Sequence, residues 1–470
     1  MGGRIEIVGP SSPRSSPGRE GALRSPRGTA ASHSAAPEAC QRIAVIGSGI
    51  SGLGAASALS GRHHVTVFEK EKHVGGHSHT VDVTWRGGRL PVDTGFIVYN
   101  ERNYPNLTSL FAHFQVPTRK SEMSFAVSLD DGRLEYGSAS YDAVFGQRRN
   151  LFNPRFLRLL LEITRFFREA PVVLSQPGDR TMTLGTWLAA AGYRRAFIED
   201  HLLPMAAAIW SCPTMTMLEF PLESFLRFFH NHGLLVLADR PQWRTVVGGS
   251  RDYVERLTQS FASRIRTETP AIGIERDARG VSIRTADGAC HRFDQVVLAT
   301  HADQALNLLA DASEAERSIL GAFRYQRNHG YLHGDSALMP KRRRVWSSWN
   351  YLGESDHNGE RRVSVTYWMN RLQAIDPACP LFLSLNPWRQ PRSALVHREL
   401  HYEHPVFDTA ALAAQSRLVS IQGARRTWYC GSYHGHGFHE DGLASGLAVA
   451  AHLGALAPWR REALMPMAAD

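Results

Sequence analysis

Cysteine is scarce in this chain, and its few copies form no pattern that would hold a metal or a disulfide framework. The 470 residues include Cys40, Cys212, Cys290, Cys379 and Cys430, an odd number at wide spacings with no CxxC pair. A disulfide-stabilised fold and a zinc knuckle are therefore both disfavoured. The pattern fits a reducing compartment, so we expect a cytoplasmic protein.

Long apolar runs are also rare. One uncharged stretch, Gly442 to Trp459, approaches the length of a membrane span, but its Gly, Ala and Ser content and His452 predict a buried helix instead. Residues 1–40 are rich in Ser, Pro, Gly and Arg, and they have too few apolar side chains to offset the entropy of ordering. We expect them to form a disordered tail that lacks the apolar core of a secretory signal.

The remaining chain has the composition of a folded enzyme that mixes helices and strands. It is 43% apolar and 21% charged, and its length suits two interleaved domains better than a single core. The net charge of +9 is accompanied by no nucleic-acid-binding motif, so we expect no nucleic acid partner.

Part of the positive charge falls in the segment NPRFLRLLLEITRFFREA, residues 153–170. Four arginines, Arg155, Arg158, Arg165 and Arg168, interrupt its Leu and Phe residues. One interpretation is a core helix with a solvated basic face. The other is a helix that makes peripheral contact with anionic lipid at the inner membrane surface.

The strongest short motif is RIAVIGSGISGLGAASALSGRHHVTVFEK, residues 42–70. The apolar run Ile43–Ile46 is typical of a buried parallel strand, GxGxxG follows it, and an Ala- and Leu-rich helix begins near Ser51. A second strand ends in Glu69, 22 residues after Gly47, where a carboxylate can accept hydrogen bonds from ribose hydroxyls. The complete unit predicts a dinucleotide whose diphosphate lies at the helix N-terminus.

The next two segments resemble a known family. KEKHVGGHSHT, residues 70–80, and LPVDTGFIVYN, residues 90–100, resemble the flavin-contacting loops of the amine oxidase superfamily, which also includes phytoene desaturases and protoporphyrinogen oxidases. The resemblance implies FAD in place of NAD, with Gly76 near the diphosphate and His77 where the family more often has Arg. It also implies an α/β fold, in which a Rossmann-type (GxGxxG) FAD-binding domain is interleaved with an α+β substrate domain.

Two later parts of the chain extend the resemblance. The run Val296–Ala299, ending in Thr300, resembles the second strand motif of the flavin domain, and Ala271 and Ile272 fall where family members touch adenine. Near the C-terminus, RTWYCG resembles the strand that returns to this domain.

After that strand, Asp441 and Gly442 open an uncharged helix that the resemblance directs at the flavin. Its N-terminal dipole can stabilise negative charge on the pyrimidine side of reduced flavin. Cys430 could suggest covalent attachment of the cofactor, but it precedes Gly431 at a strand position, so we expect non-covalent FAD.

The loop before this helix contains His434, His436 and His439 beside two acids. Three interpretations stay open: a metal site, histidines hydrogen-bonded within a Gly-rich loop, and histidines that line the substrate side of the flavin as proton acceptors. We favour a flavin over a metal here, and we take His436 and His434 as the candidate catalytic residues.

Taken together, the motifs and the resemblance predict a set of cofactor-binding residues. These are Gly47, Ser48, Gly49, Ile50, Ser51, Gly52, Glu69, Lys70, Gly76, His77, Thr94, Gly95, Phe96, Ile272, Thr300, Gly431, Asp441, Gly442 and Leu443. The FAD-binding domain is predicted to combine residues 41–125, 241–310 and 421–460.

The substrate domain is predicted from the other two segments, residues 126–240 and 311–420. The first has a helical pattern and the second alternates as sheet strands do. In the superfamily such a sheet covers the flavin ring, so Trp346, Trp349, Tyr367 and Trp368 either line an apolar channel or pack within the sheet. Of the aromatic pair expected in true amine oxidases, only Tyr433 is a candidate half.

A narrower resemblance comes from SWNY, YWMN, LSLNP and GFHEDGLASG. These motifs look like predicted FAD-binding oxidoreductases similar to the domain that precedes plant cyclopropane fatty acid synthases, whose bacterial relatives are implicated in modifying methylated unsaturated acyl chains. The resemblance implies an FAD-dependent dehydrogenase or desaturase of a lipid acyl chain. Two alternatives remain: an oxidase of amines, isoprenoids or polycycles, and a flavoprotein partner of a lipid methyltransferase without turnover of its own.

Overall fold

The computed structural model describes residues 40–176, 182–210, 215–236, 240–355 and 361–459. The predicted tail lies outside the described residues except for Cys40, and so does Cys212. No helix in these described ranges has both the length and the apolar character needed to cross a bilayer.

The strands are β1 Arg42–Ile46, β2 His64–Phe68, β3 Thr80–Trp85, β4 Gly88–Asp93, β5 Tyr99–Asn100, β6 Thr118–Lys120, β7 Phe125–Leu129, β8 Leu134–Gly137, β9 Trp243–Val246, β10 Ile265–Arg266, β11 Ala271–Asp277, β12 Gly280–Thr285, β13 Cys290–Phe293, β14 Gln295–Leu298, β15 Arg324–His333, β16 Trp349–Ser355, β17 Arg361–Trp368, β18 Phe382–Leu385, β19 Val396–Val406 and β20 Thr427–Tyr429.

The helices are α1 Ile50–Leu59, α2 Pro105–His113, α3 Tyr141–Val144, α4 Pro154–Ser175, α5 Leu184–Ala190, α6 Arg195–Phe197, α7 Leu203–Trp210, α8 Leu222–Asn231, α9 Arg251–Thr258, α10 Ala302–Leu308, α11 Glu314–Leu320, α12 Met369–Leu372, α13 Thr409–Gln415 and α14 His439–His452.

A parallel sheet in the order β10-β2-β1-β14-β20 forms the first layer. Its central strands carry side chains such as Val45 and Val297 that are completely buried. Continuous apolar strands of this kind form where helices or loops cover both faces of a sheet. Because the strands come from three distant parts of the chain, the predicted Rossmann-type fold with an interleaved second domain is confirmed, while the exact domain boundaries stay predictions.

A seven-stranded sheet in the order β19-β15-β18-β17-β16-β7-β8 forms the second layer. Side chains from α4, α5, α7 and α8 join sheet residues such as Tyr351 and Leu383 in one buried cluster. Strands β7 and β8 fall within or beside residues 126–240, whose pattern predicted helices alone. Strand β7 has five residues and β8 has four, and nearly all of them are buried. Because both faces of these strands are buried, their sequences show no alternation of apolar and polar residues.

The C-terminal helix α14 packs closely against α1. A Cβ atom added to Gly446 would overlap the carbonyl oxygen of Ser51, and one added to Gly54 would lie 2.6 Å from Leu443 Cδ1. Glycine is therefore required at Gly446 for the two helix backbones to approach each other, whereas at Gly54 the clash is with the end of the flexible Leu443 side chain. This contact joins the last part of the chain to the first.

The start of α14 differs from the prediction. The helix begins at His439, two residues before Asp441. The Asp441 carboxylate accepts hydrogen bonds from the backbone N–H groups of Phe438, at 2.9 Å, and His436, at 3.0 Å. Asp441 therefore stabilises the first turn from within it, as acidic residues commonly do.

A buried ion pair braces the outer side of the parallel sheet. Arg276 on β11 lies 2.5 Å and 3.0 Å from the two carboxylate oxygens of Glu316 on α11, and Tyr429 on β20 donates to the same carboxylate at 2.6 Å. Burial alone would raise the pKa of Glu316, but the hydrogen bonds from Arg276 and Tyr429 lower it to about 2. The network thus joins three elements through one charged pair.

Replacing Glu316 by Ala is expected to lower the free energy of unfolding by about 3 kcal/mol, because the buried Arg276 guanidinium would keep only the part-exposed Asp311 carboxylate, 2.9 Å from its Nε, as a charged partner. Since the folded pKa of Glu316 lies below its usual value of 4.5, the ion pair stabilises the fold above that pH and its contribution is lost as pH falls towards 2. Urea unfolding at several pH values measures both effects.

The matched control is Glu314→Ala, an exposed acid in the first turn of the same helix. It should cost about 1 kcal/mol or less. Equal losses for the two variants would show that the buried pair has no special role.

Candidate functional site

A cavity of about 1960 Å³ opens at the carboxyl ends of the parallel strands and continues to the seven-stranded sheet. Its walls include Gly47 after β1, Glu69 after β2 and Thr300 after β14. Ligands of α/β folds bind at this edge of the sheet. Because typical ligand pockets measure roughly 300–1,000 Å³, the cavity has room for a dinucleotide and a second molecule.

The glycine-rich turn between β1 and α1 forms one wall. Gly47 has a φ of +101°, and a Cβ atom there would lie 2.7 Å from the carbonyl oxygen of Ala299. A Cβ atom at Gly52 would overlap the carbonyl oxygen of Gly47, whereas one at Gly49 would meet no protein atom within 4 Å. Gly49 therefore faces open space at the N-terminus of α1, where backbone N–H groups can bind a diphosphate.

Glu69 helps to hold this turn. Its carboxylate accepts hydrogen bonds from the N–H of Ser48 at 2.8 Å, from the Ser48 hydroxyl at 2.6 Å and from the N–H of Glu71 at 2.9 Å. A carboxylate has about four acceptor positions, so one remains for a ribose hydroxyl. Glu69 thus has a structural role beside the predicted cofactor contact.

The acids of the C-terminal loop are engaged with backbone groups. Glu440 accepts hydrogen bonds from the Asn106 backbone N–H at 2.8 Å, the Asn106 side-chain amide at 2.7 Å and the Leu107 N–H at 3.1 Å. Asp441 caps α14, and burial raises its pKa to about 6. These acids cap helix starts in α2 and α14, and this geometry disfavours a metal in the loop.

One group among the described residues does bring three ligand atoms together. His329 on β15 and Glu399 and His401 on β19 place their ligand atoms within 4.8 Å of one another at the sheet edge. His329 Nε2 lies 2.5 Å from Glu399 Oε1, which is also the geometry of an ordinary hydrogen-bonded ion pair.

Several half-buried histidines line the cavity near the glycine turn. Burial lowers the pKa of His77, His79 and His301 to about 4, and that of His404 and His439 to about 3. All are therefore neutral at pH 7 in the absence of a bound anion. His77 Nε2 is buried and has no hydrogen-bond partner.

His439 at the start of α14 is held on two sides. Its ring stacks on Phe96 with a centroid distance of 4.0 Å, and its Nε2 lies 2.6 Å from the Tyr253 hydroxyl and 3.2 Å from the Ser78 hydroxyl. The predicted contact residue Phe96 is thus fixed against the first residue of α14.

The two predicted catalytic histidines have different surroundings. His436 lines the cavity, with its ring 5.9 Å from that of Phe228. His434 lies half-buried beside Tyr433 and is not among the residues that line the cavity, so nothing in the geometry supports its predicted catalytic role, which stays a prediction. His434 is the last residue of the short helical turn Ser432–His434, and its Nε2 is buried without a hydrogen-bond partner.

Two further histidines reach the cavity and were missed by the sequence motifs. His232 stacks on Phe228 at 3.9 Å, and burial lowers its pKa to about 4. His201 lies 3.0 Å from the Tyr136 hydroxyl, its Nε2 has no partner, and burial lowers its pKa to about 3. The available signal was the pair of histidines in FHNHG and the single histidine in IEDHLL, but neither segment belongs to a recognised motif.

Most of the predicted cofactor residues line this one cavity. Those that do so are Gly47, Ser48, Gly49, Ile50, Ser51, Glu69, Lys70, Gly76, His77, Thr94, Gly95, Phe96, Thr300, Gly431 and Gly442.

The exceptions are close behind the wall or displaced from it. Gly52 packs on the Gly47 carbonyl, Leu443 packs on Gly54, and Asp441 caps α14. Ile272, which the resemblance places with Ala271 against adenine through backbone atoms, has a half-exposed side chain and does not line the cavity, whereas Pro270 and Ala271 do, so the backbone contact at Ile272 stays a prediction.

The far part of the cavity is apolar and aromatic. Its lining includes Ile97, Val98, Met123, Phe125, Val144, Phe145, Leu160, Ile163, Phe167, Met205, Ile209, Leu234, Trp349, Tyr367, Leu383 and Leu385. We call this part the apolar chamber.

Two of the four aromatic residues predicted to line a channel are in the chamber, Trp349 and Tyr367. The other two, Trp346 and Trp368, pack against each other with a ring distance of 5.4 Å. Successive residues of a strand point to opposite faces, so Tyr367 faces the chamber and Trp368 does not.

Cys430 offers no means of covalent attachment. It is completely buried in the core behind the cavity wall, and burial raises the pKa of its thiol to about 12. A protonated, inaccessible thiol does not react with a flavin.

The cavity fits a flavin dinucleotide. The open face of Gly49, the unpartnered Nε2 of His77 and the remaining acceptor position of Glu69 all suit a diphosphate and ribose. The apolar chamber would hold a second, non-polar molecule beyond it.

The family model described as flavin containing amine oxidoreductase matches residues 50–453. No curated protein matches the chain.

Solved structures of related enzymes share the fold. Cyclohexylamine oxidase from Brevibacterium oxydans IH-35A has a TM-score of 0.62 and 16% identity, over 88% of this chain and 100% of that one. A CLA-producing fatty acid isomerase from P. acnes has a TM-score of 0.61 and 16% identity, over 89% and 99%. Putrescine oxidase bound to putrescine has a TM-score of 0.58 and 14% identity, over 88% and 98%.

Replacing Gly49 by Ala is expected to weaken FAD binding and to leave the fold intact. The added Cβ atom meets no protein atom, so the free energy of unfolding of the apoprotein should stay the same or rise slightly. The same atom would occupy the space of the diphosphate, so FAD affinity should fall at least tenfold. Apoprotein unfolding and fluorescence titration with FAD measure the two effects separately.

The matched control is Gly61→Ala, at the other end of α1, where an added Cβ atom also meets nothing within 4 Å. It should leave FAD affinity unchanged. Normal FAD binding by Gly49→Ala would show that the diphosphate does not lie at this turn.

FAD affinity is expected to rise as pH falls from 8 to 5. Burial, helped by His301, His79 and His73, lowers the pKa of unliganded His77 to about 4, and a bound diphosphate would raise it by favouring the charged ring. Binding then takes up a proton, and each proton taken up strengthens binding by at most about tenfold per pH unit.

The comparison variant is His77→Arg, which carries a permanent charge. It should bind FAD more tightly at pH 8 and show a smaller pH dependence, with any remaining slope due to His79 and His301. Equilibrium dialysis against FAD over this pH range measures both, and an unchanged slope would remove His77 as its source.

Proposed function

We propose, since the chain belongs to the flavin-containing amine oxidoreductase family, that this FAD-dependent oxidoreductase removes hydrogen from a methylated, unsaturated acyl chain of a lipid. The observation that carries the proposal is the apolar chamber, which continues from the cofactor cleft between the seven-stranded sheet and α4. A long non-polar substrate fits such a space better than a small charged one.

The distribution of carboxylates also supports a non-polar substrate. Among the described lining residues they are Glu69 and Glu71 near the glycine turn and Glu399 and Glu403 on β19. The parts of α4, α7 and α8 that line the chamber contribute none. A protonated amine would therefore enter the chamber without a charged partner, which is costly in an apolar site.

The chemistry needs a hydride acceptor and a proton acceptor. Bound FAD supplies the acceptor for a hydride. Loss of hydride from a carbon next to a double bond leaves an allyl cation in the acyl chain, and loss of a neighbouring proton to an imidazole gives the diene.

His436 is the residue we propose as proton acceptor, with His232 near it, since both imidazole rings contact the ring of Phe228. Burial lowers the pKa of both imidazoles, so each is neutral and able to accept a proton at pH 7. A base of low pKa suffices because the protons next to an allyl cation are strongly acidic. An acyl chain that fills the apolar chamber would displace water, which would otherwise add to the cation.

The similar structures give precedents for both main substrate classes. A fatty acid isomerase and a cyclohexylamine oxidase share this fold at nearly equal TM-scores, 0.61 and 0.62. Because such likeness shows the fold alone, the choice between lipid and amine rests on the chamber.

The test is to mix the purified holoprotein with each substrate under anaerobic conditions. Reduction of the flavin is measured as a loss of its absorbance. Phospholipid with a methylated monounsaturated chain is expected to bleach the flavin, and cyclohexylamine and putrescine are not. Rapid bleaching by the amines, with none by any lipid, would reject the proposal. No bleaching by either, with a lipid methyltransferase co-purifying, would favour a flavoprotein that acts only as its partner.

Replacing His436 by Gln is expected to slow this lipid-dependent reduction by about 10²–10⁴-fold, the usual contribution of general acid–base catalysis. The control is His452→Gln, an exposed histidine at the opposite end of α14, which should reduce at the normal rate. An unchanged rate in His436→Gln would transfer the proposed role to His232.

A further inference from the structure

The outer surface around α3 and α4 exposes several large apolar side chains. Tyr141 is 90% exposed, Phe152 is 86% exposed and Leu161 is 68% exposed, while Leu151, Leu157 and Val172 are also exposed. Single exposed apolar residues are common on proteins, but six within 32 residues of chain form a concentration. A concentration of this kind marks an interaction surface.

On α4 the exposed apolar residues form a stripe opposite the core. Leu157, Leu161 and Val172 are separated by four and eleven residues, spacings that return a helix to the same side. The buried residues, such as Phe156, Leu159 and Phe166, lie on the opposite side and belong to the core. The stripe is therefore a separate apolar surface of α4 and does not belong to the hydrophobic core.

The same surface surrounds an opening of the cavity. Tyr141 and Thr164 are both exposed to solvent and part of the cavity wall. Leu160 and Phe167, on the flank of α4 between the core and the exposed stripe, continue the wall inwards. The exposed apolar residues thus border an entrance to the apolar chamber.

Positive charge accompanies the apolar residues. Residues 141–176 include six arginines and three carboxylates. Asp142 pairs with Arg148 and Glu169 with Arg165, whereas Arg158 and Arg168 are exposed beside the apolar stripe. Anionic lipid headgroups complement such a surface, and the apolar side chains complement the acyl region below them.

We propose that this surface docks on a bilayer containing anionic phospholipid and places the entrance of the chamber against the acyl chains. This inference rests on the proposed lipid substrate and adds the route by which it arrives. An acyl chain can then slide from the leaflet into the chamber without crossing water, while its headgroup stays at the interface. The contact is peripheral, through side chains of α3, α4 and the loop between them.

The experiment is co-sedimentation of the holoprotein with vesicles, which requires no turnover. Wild type is expected to bind vesicles of phosphatidylglycerol and phosphatidylcholine at least tenfold more tightly than vesicles of phosphatidylcholine alone. Binding should weaken as salt is raised, because the headgroup contacts are screened.

The double variant Phe152→Ser with Leu161→Ser is expected to lose at least tenfold in binding to the anionic vesicles. Arg158→Glu with Arg168→Glu is expected to bind anionic vesicles no better than neutral ones. The matched control is Val419→Ser, since Val419 is 76% exposed on a different part of the surface and should bind as wild type does. FAD content and thermal unfolding verify that each variant is folded.

Vesicle binding equal in the double variant and in Val419→Ser would overturn the docking surface. A wild type that does not bind vesicles and self-associates through Phe152 and Leu161 would overturn it also, because the occupant would be a second copy. Failure of the proposed function gives a different result: vesicle binding stays as expected, but no lipid dispersed in detergent reduces the flavin.

Discussion

The close packing of α1 against α14 is the constraint on which the site depends. The Ser51 carbonyl lies where a side chain at Gly446 would begin, and Leu443 occupies the equivalent space at Gly54. Helices approach this closely only where one of them lacks a Cβ atom at the contact. The result is that two helices from opposite ends of the chain begin at one cavity, and both direct the positive ends of their dipoles towards it.

Burial then sets the chemistry of the two parts of the cavity. Near the glycine turn, desolvation keeps His77, His79 and His301 neutral, so an anion entering there creates its own positive partners by raising their pKa values. At the cavity wall beside Phe228 the same desolvation keeps His436 unprotonated. One physical effect therefore serves anion binding at one end and proton acceptance at the other.

How far the sequence predicts these features depends on how local their cause is. The strand, glycine turn and helix from Arg42 to Leu59 follow from neighbouring residues alone, because the turn needs glycine and the strand needs a continuous apolar run. The start of α14 was misplaced by two residues because Asp441 acts on backbone groups that precede it. The cavity-facing histidines are His201, in the π-helical segment Ile198–Leu202, and His232, directly after α8, and nothing in their immediate neighbours indicates that they share one space.

The segment 153–170 shows why its two interpretations could not be separated in the sequence. A helix with one apolar face is either packed on a core or placed on a membrane. Here α4 has apolar residues on both sides: Phe156 and Phe166 enter the core, and Leu157 and Leu161 face solvent, with arginines between the two sets. The core side of α4 fixes the helix over the apolar chamber. Because the helix is fixed there, its exposed side borders the entrance to the chamber. Without the packing of its core side, α4 would not hold Thr164 and Phe167 in the cavity wall. Burial of the core side is therefore a condition for the proposed function of the exposed side.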